Sequence, residues 1–410
     1  MDNIAGSPVE GDNFHGREAD IVRLREYLDN HDVLLLGPRR IGKTSIARAI
    51  IEKVRAEGWR AIEVNVAACQ DEHEFLEKLD TALRPVLATM PSKVKDAITS
   101  TWDATTKRIK SIKLSIPGTA ALDVGITSSA SEDWTVVAND LLRLISQANQ
   151  RWLIYVDELP ILLFNIIRND PQNGVQRVRR FLDWFRNDVR AIPEVRNIRW
   201  LVSGSVGLDT LVQQHGMADT INSMKHEGLE AFSEPVAVAM LEKLAQRYAI
   251  TLVEGDAQKI IASVLWPQPY YLQAAFHHLR VLMGQTPTAQ ATILIDQAID
   301  KMVQPGGDND FHYWAQRLTI QLTAADSAHC LALLNLAATD PKGIRAENLL
   351  AALHERLPQA TAEEAKQVFI NLRDILQRDA YWWPDDSAGH RRYRFRLEPL
   401  RRWWLRRNTL

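Results

Sequence analysis

Residues 33–45 read VLLLGPRRIGKTS, and this stretch decides the fold. Val33-Leu34-Leu35-Leu36 is a short apolar run of the kind that forms a buried strand. Residues 37–44 then fit the pattern G-x-x-x-x-G-K-[ST], and apolar residues at helical spacing follow as far as Arg55. A strand, this loop and a helix in that order predict a phosphate-binding loop. The alternative is a glycine turn in front of a surface helix.

The residue types in this loop suit a nucleoside triphosphate with Mg²⁺. Glycines let the backbone curl so that its N–H groups face phosphate oxygens, and the N-terminus of the next helix adds partial positive charge. Lys43 would reach the β- and γ-phosphates, and the Thr44 hydroxyl would coordinate Mg²⁺. Arg39 and Arg40 would touch the nucleotide or a neighbouring subunit. The predicted nucleotide-binding residues of the loop are Gly37, Pro38, Arg39, Arg40, Ile41, Gly42, Lys43, Thr44 and Ser45.

A carboxylate pair follows a second apolar run. Residues 152–156 read WLIYV, and Asp157 and Glu158 come directly after them. Open α/β sheets bind ligands at the carboxyl ends of their strands. Asp157 would hold Mg²⁺ through water, and Glu158 would act as the general base on the attacking water. The alternative is that the two acids only cap the helix that starts beside Pro160.

Strand and helix patterns alternate between residues 14 and 200. The predicted strands are 33–36, 60–66, 152–156 and 198–203, and the helices between them are 41–55, 71–87 and 175–189. This alternation predicts an α/β fold with a parallel sheet and right-handed crossovers. Residues 90–132 interrupt it with two period-two segments, IKSIKLSIPG and ALDVGIT. We expect either an inserted hairpin or lid, or a variable surface loop.

A polar turn, Ser203-Gly204-Ser205, ends the fourth predicted strand. Ser205 or Ser203 would help to position the attacking water and the γ-phosphate, or the segment is only a turn.

Helical patterns dominate the rest of the chain. Residues 1–13 are expected to be a flexible leader, residues 14–232 the core, residues 233–303 a helical lid and residues 304–309, QPGGDN, a linker. Three helices followed by two alternating strands then predict a winged helix over residues 310–410.

Composition excludes several classes of protein. Of the 410 residues, 46% are hydrophobic and 24% are charged, which are ordinary values for globular domains. The two cysteines, Cys69 and Cys330, have no metal-type spacing, and no apolar run is long enough to span a membrane. We therefore expect a cytoplasmic protein without a disulfide framework, a structural zinc site or a membrane segment. The net charge is only −2, but positive charge is concentrated near the end of the sequence, where eight arginines lie between Arg391 and Arg407.

Several strings together resemble the archaeal-type ATPase group of the STAND and AAA+-related P-loop NTPases. They are the box that begins at Asn13-Phe14-His15-Gly16-Arg17, the phosphate loop, residues 154–160, residues 269–273 (PYYLQ) and the end of the chain. The resemblance implies an ASCE-type ATPase core with a helical lid and a winged helix. It also implies that Phe14, Gly16 and Arg17 lie near the adenine, and that Pro269 touches the base or sugar. The alternative for Pro269 is the first position of a helix.

Switches of this kind are expected to use an arginine in trans on the γ-phosphate. Arg180, Arg186 and Arg190 lie on the helix predicted between Glu158 and Ser203, and Arg186 is our candidate. The alternative for each is a solvated helix surface. An arginine in trans also implies a homo-oligomer.

We therefore expect an α/β P-loop NTPase that binds ATP and ADP with Mg²⁺, hydrolyses ATP slowly and signals through its winged helix. The winged helix would dock on a partner protein or on the chain's own core, or it would bind DNA through the arginine-rich region 391–407. Two alternatives for the function stay open: a DNA-associated ATPase, such as a loader, a transposition regulator or a defence component, and a non-hydrolysing ATP-gated scaffold.

Overall fold

The computed structural model describes residues 1–90, 101–109, 133–148, 150–204, 207–286, 288–306, 309–387 and 389–408. The chain divides into two compact units. The first comprises Met1–Gly16, Pro38–Gly42 and Leu229–Leu410, and the second comprises Arg17–Gly37 and Lys43–Gly228.

A five-stranded parallel sheet forms the centre of the second unit. Its strands lie in the order β2-β3-β4-β1-β5. Every residue of β3 is buried, as the apolar run predicts for a strand covered on both faces. β4 pairs with both β1 and β3. It therefore lies between the strand that leads to the phosphate loop and the strand that ends in Asp157. The strands are β1 Val33–Leu36, β2 Arg60–Asn65, β3 Trp152–Asp157, β4 Ile198–Gly204 and β5 Lys225–Gly228.

Helices cover this sheet, and their apolar faces form the core. On the helix that follows the phosphate loop, Ile46, Ile50 and Val54 are fully buried, as their helical spacing predicts. Phe75, Phe181, Trp184 and other rings pack edge to face in the same core. The helices of the unit are α1 Glu18–Tyr27, α2 Lys43–Ala56, α3 Glu72–Ala88, α4 over residues 101–109, α5 Trp134–Ser146, α6 Leu159–Asn169, α7 Gly174–Asp183, α8 Val189–Ala191 and α9 Gly207–Gln214.

One prediction from the sequence is wrong, and another falls on residues that the structure does not describe. The helix predicted over residues 175–189 is not continuous, because a π-helical turn at Trp184–Asp188 separates α7 from α8. That turn buries Trp184 and Phe185 against the sheet. The two segments expected to form a hairpin, IKSIKLSIPG and ALDVGIT, lie outside the described residues.

The first unit is mainly helical and contains a small antiparallel sheet of order β6-β8-β7. A buried ion pair between Arg317 and Asp379, 3.1 Å apart, lies in its core, and the Tyr381 hydroxyl donates to the Trp314 carbonyl at 2.7 Å. The helices are α10 Glu234–Arg247, α11 Asp256–Val264, α12 Pro269–Gln285, α13 Ala291–Met302, α14 Asn309–Gln321, α15 Ala324–Ala337, α16 Ala346–Glu355, α17 Ala362–Arg378 and α18 Glu398–Asn408. The strands are β6 Ile344–Arg345, β7 Trp382–Asp385 and β8 Arg392–Phe395.

The parallel sheet, the loop after β1 and the helix-rich remainder confirm the predicted α/β P-loop NTPase fold. Across the part of the chain that the structure describes, no helix combines the length and apolarity needed to cross a bilayer.

Candidate nucleotide site

The phosphate loop connects β1 to α2 and has two residues with positive φ. Gly42 has φ +105°, which suits glycine, and Arg40 has φ +70°, which few L-residues adopt. Lys43 is the first residue of α2, is only 6% exposed, and donates from Nζ to the Gly37 carbonyl at 2.8 Å. Ile41 is fully buried and Ser45 is 9% exposed.

A hydrogen-bonded cluster lies at the carboxyl ends of β3 and β4. The Thr44 hydroxyl donates to Asp157 Oδ2 at 3.1 Å, and the Ser203 hydroxyl donates to Asp157 Oδ1 at 2.5 Å. Ser203 is fully buried and Asp157 is 3% exposed. The positions of Thr44, Asp157 and Ser203 in the sequence do not by themselves indicate that the three side chains lie close together. The parallel pairing of β3 with β4 and of β4 with β1 brings them together.

Tyr155 is the fourth member of this cluster. Its hydroxyl lies 3.1 Å from Ser203 Oγ. Since Ser203 uses its single hydrogen on the carboxylate, Tyr155 is the donor in this contact. Burial raises the pKa of Tyr155 well above its usual value, and the Asp157 charge raises it further, so the phenol keeps its proton. The sequence interpretation assigned Tyr155 only to a buried strand.

Glu158 follows Asp157 in an unusual backbone conformation. Its φ of +62° and ψ of +37° are left-handed, and it precedes the first turn of α6. For a residue other than glycine, such a conformation costs about 1–3 kcal/mol and is concentrated at functional sites. Its side chain makes no capping hydrogen bond to α6. No side-chain hydrogen bond therefore supports the alternative that Glu158 caps α6.

The donor set suits Mg²⁺ with a triphosphate. Mg²⁺ is usually held by one or two protein oxygens together with phosphate oxygens and water. Thr44 Oγ1 and Asp157 Oδ2 are the two oxygens in question, and they lie 3.1 Å apart. No group of three or more His, Cys, Asp or Glu side chains able to hold a metal is found among the described residues. Thr44 and Asp157 together suit a metal ion whose other ligands are phosphate oxygens and water.

Ser203 contacts Asp157, whereas Ser205 lies outside the described residues. Of the two serines proposed to position the water, Ser203 is the one for which the structure gives contacts.

Arg39 and Arg40, both in the phosphate loop, contact other residues of the first unit. Arg40 Nε donates to Asp310 Oδ1 at 2.9 Å, and Arg39 Nε lies 3.4 Å from the same oxygen. The Arg40 guanidinium also lies over the Tyr270 ring, 4.4 Å from its centroid, and Arg39 lies 4.1 Å from the centroid of Tyr313. Arg40 Nη1 donates to the carbonyl of Gly6 at 2.9 Å.

Asp310 is the centre of this arginine cluster. Its side chain is 3% exposed, and its Oδ2 accepts from the Tyr271 hydroxyl at 2.6 Å. The Trp314 indole donates to that hydroxyl at 2.9 Å. Burial raises the pKa of Tyr271 well above its usual value, and the Asp310 charge adds to the effect. The sequence interpretation missed Asp310 because nothing in its local sequence pairs it with a loop that precedes it by 270 residues.

The box around Gly16 contacts α10. Gly16 has φ +70°, and a Cβ at this position would overlap Val236 Cγ1, so both the backbone and the space favour glycine. His15 Nε2 lies 3.1 Å from the Val236 carbonyl oxygen, and Phe14 N donates to the Gly11 carbonyl at 2.9 Å. In the second unit, Arg17 is buried and pairs with Asp20 at 3.1 Å. These contacts give the box a packing role, and its role at the adenine stays a prediction.

Pro269 occupies the first position of α12, as the alternative from sequence predicts. The same helix contacts the first residues of the chain. Asn3 Nδ2 donates to the Gln273 carbonyl at 2.9 Å, and Ile4 N donates to Gln273 Oε1 at 2.6 Å. Contact of Pro269 with the base or sugar stays a prediction.

The three candidate arginines each have a partner in the second unit. Arg186 Nη1 donates to Asp219 Oδ2 at 2.5 Å, Arg180 pairs with Asp133, and Arg190 donates to the Ser223 carbonyl. Of these, Arg186 lies on the π-helical turn. Its action in trans on a neighbouring subunit stays a prediction.

The strand order, the loop between β1 and α2 and the polar cluster at the strand ends define an α/β fold of the P-loop NTPase class. No protein-family model matches the chain, and no curated protein matches its sequence. Solved structures share the fold over nearly the whole chain.

One is the Walker-type ATPase of Pyrococcus abyssi, with a TM-score of 0.59 and 15% identity, covering 96% of each chain. Another is the ORC2 protein of Aeropyrum pernix in ADPNP–ADP complexes, with a TM-score of 0.60 and 14% identity, covering 98% of this chain and 95% of that one. Identities this low establish the fold alone.

Proposed function

We propose that the protein is an ATP-binding, Mg²⁺-dependent ATPase that acts as a nucleotide-controlled switch of the STAND and AAA+-related kind. The observation that carries the proposal is the convergence of Thr44 and Ser203 on the two oxygens of Asp157, beside the buried Lys43. A hydroxyl, a carboxylate and an ammonium group in this arrangement are the groups that hold a magnesium–triphosphate complex.

Each residue has a distinct role in this proposal. Lys43 binds the β- and γ-phosphates, while Thr44 and Asp157 hold Mg²⁺. Ser203 and Tyr155 keep the Asp157 carboxylate oriented, because their hydroxyls form a chain of hydrogen bonds that ends on it. Glu158 is the general base, and Mg²⁺ neutralises charge on the phosphates when it is bound.

Signalling through residues 310–410, the proposed winged helix, is supported by the arginine cluster. Asp310 in α14 accepts from Arg40 and lies 3.4 Å from Arg39, and both arginines belong to the phosphate loop. A loop that rearranges around a nucleotide would change these contacts, and α14 would then respond to the nucleotide state. ATP and ADP would produce different responses only if they bind the two arrangements with different affinity.

Docking of the winged helix on protein is favoured over docking on DNA. Several arginines of the 391–407 region have acidic partners: Arg391 pairs with Asp386 at 2.9 Å and Arg401 pairs with Glu398 at 2.7 Å. Arg402 contacts both Asp300 and Glu398. Paired arginines offer less free charge to phosphates than the sequence count suggests.

The first test is titration of the full chain with ATP and with ADP in the presence of Mg²⁺. We expect binding to the unaltered chain and an affinity about 100-fold weaker for Lys43→Ala, because a charge-assisted contact is lost. Lys53→Ala is the matched control, since Lys53 is exposed and lies on the same helix. Absence of binding to the unaltered chain at about 1 mM nucleotide would overturn the proposal.

The switch is tested separately by hydrogen exchange of α14. We expect the amides of α14 to exchange at different rates with ATP and with ADP, and Lys43→Ala to remove the difference. Equal exchange with both nucleotides in a chain that binds them would refute the signalling role and leave nucleotide binding intact.

A further inference from the structure

The antiparallel sheet β6-β8-β7 of the first unit has one buried and one accessible face. On the buried face, Trp382, Tyr393 and Phe395 are each at most 2% exposed and belong to the core. Successive residues of a strand point to opposite faces, and residues paired directly across two strands share a face. The register therefore defines the other side of the sheet, which we call the outer face. Its residues, all partly or fully exposed, are Arg345, Trp383, Asp385, Arg392, Arg394 and Arg396.

Positive charge dominates the outer face, which carries four arginines and one acid, Asp385. Arg392 already has an acidic partner, because it pairs with Asp340 at 3.4 Å. Three other side chains of the face form no ion pair or hydrogen bond with any residue that the structure describes. They are those of Arg345, Arg394 and Arg396. The surplus of unpaired positive charge favours an acidic ligand.

Arg394 and Arg396 are partly buried but keep accessible donors. In each, the buried nitrogen without a partner is Nε, and the terminal nitrogens reach solvent. The Arg396 guanidinium lies over the Trp266 ring, 4.4 Å from its centroid. Stacking covers the face of a guanidinium and leaves the N–H groups at its edge free to donate. Burial lowers the pKa of Arg396, and the charge of Glu230 offsets only part of this effect, so a bound carboxylate would stabilise the cation.

Trp383 adds an apolar group beside these donors. It lies directly opposite Arg394 in the strand register and is 37% exposed. Its ring centroid lies 6.0 Å from the Arg396 guanidinium. Tryptophan and arginine are the residues most enriched among those that contribute strongly to protein–protein binding. The outer face therefore offers donors for carboxylates together with one apolar contact.

The spacing of the donors favours an extended peptide as the occupant. Arg396 directly follows β8, and its N still donates to the Tyr381 carbonyl at 3.0 Å, so the pairing continues. Residues two apart on a strand, such as Arg394 and Arg396, are separated by about 7 Å, and alternate residues of an extended peptide have the same spacing. Single-stranded nucleic acids usually stack successive bases on several aromatic rings. Here the other three rings of β7 and β8 are buried, which favours a peptide.

We propose that the outer face binds an acidic, extended segment of a partner protein, with carboxylates on Arg394 and Arg396 and an apolar side chain on Trp383. This proposal rests on the protein-docking part of the proposed function and does not require nucleotide binding. A chain that binds nucleotide but no acidic peptide would refute this surface alone. A chain that binds the peptide but no nucleotide would refute the ATPase proposal alone.

Fluorescence anisotropy with the full chain tests the proposal. The probe is the fluorescein-labelled peptide EAEAFAE, which carries its acids and its phenylalanine at alternate positions, and QAQAFAQ is its neutral counterpart. We expect saturable binding of the acidic peptide in the absence of nucleotide, and much weaker binding of the neutral one. Arg394→Glu should weaken binding of the acidic peptide about tenfold, and Trp383→Ala about threefold.

Two further variants keep the result specific. Arg356→Glu is the matched charge reversal, since Arg356 is exposed and lies outside the three strands of this sheet. We expect it to change peptide affinity by less than about twofold. If Arg394→Glu fails to fold, Arg345→Glu replaces it at an exposed position of the same face, with an expected loss of about threefold.

Four outcomes would overturn the proposal. One is the absence of peptide binding at about 1 mM chain, and another is equal binding of the acidic and neutral peptides. The third is an equal effect of Arg356→Glu and of the charge reversal on the outer face. The last is tighter binding of a 12-nucleotide oligothymidine that the same charge reversal weakens, because the occupant would then be a nucleic acid.

Discussion

Asp310→Asn should destabilise the first unit strongly, although it removes only a charge. Asp310 is 3% exposed at its side chain and accepts from Arg40 at 2.9 Å and from Tyr271 at 2.6 Å. Asparagine can still accept from Tyr271, but it leaves Arg40 without a counter-charge. Removing one partner of a buried pair costs about 3–5 kcal/mol. Because the Arg40 side chain is 24% exposed and Arg39 is 39% exposed, water screens part of the loss, and we expect about 2–3 kcal/mol.

Differential scanning calorimetry measures this loss. For a unit of this size, the expected loss lowers the Tm by about 4–12 °C. Asp386→Asn is the matched control, because Asp386 lies 2.9 Å from Arg391 but both side chains are more than half exposed. We expect no resolved Tm change for this control. Equal shifts for the two variants would refute the reasoning, since burial is the property that separates them.

Three further predictions concern the second unit. Glu158→Gln should lower ATP hydrolysis by about 10²–10⁴-fold and leave ATP affinity within about twofold; unchanged turnover would refute the general-base role. Ser203→Ala should weaken Mg²⁺-dependent ATP binding and cost about 1–3 kcal/mol of stability, measured by titration and calorimetry, because Tyr155 and Asp157 each lose a partner. Burial raises the pKa of Cys69 to about 11, so its thiolate is scarce at neutral pH and alkylation should accelerate as pH rises toward that value. Rapid alkylation of Cys69 at pH 7, read by mass spectrometry, would contradict its burial.

The phosphate loop and the strand and helix on either side of it follow from local pattern. Residues 33–36 are apolar because β1 is buried, and the spacing of Ile46, Ile50 and Val54 places one face of α2 in the core. These properties belong to neighbours along the chain, so the order of the amino acids is enough to predict them. The carboxylate pair at the carboxyl end of β3 is equally local.

Contacts between distant segments could not be inferred in the same way. Asp310 and Arg40 are 270 residues apart, and no periodicity relates them. The position of Ser203 beside Asp157 depends on β4 lying next to β3, which is a property of the sheet order. The helix predicted over residues 175–189 is broken by a π-helical turn, and the rings of Trp184 and Phe185 in that turn pack against Trp200 of β4. Each of these features requires the tertiary arrangement.

The left-handed backbone at Glu158 has a consequence for attempts to engineer this chain. A screen that rewards only heat tolerance would favour glycine or asparagine at position 158, since either residue relaxes the φ of +62°. Such variants would survive hotter conditions while losing the carboxylate proposed to activate water. Libraries built for robustness should therefore keep this one position invariant.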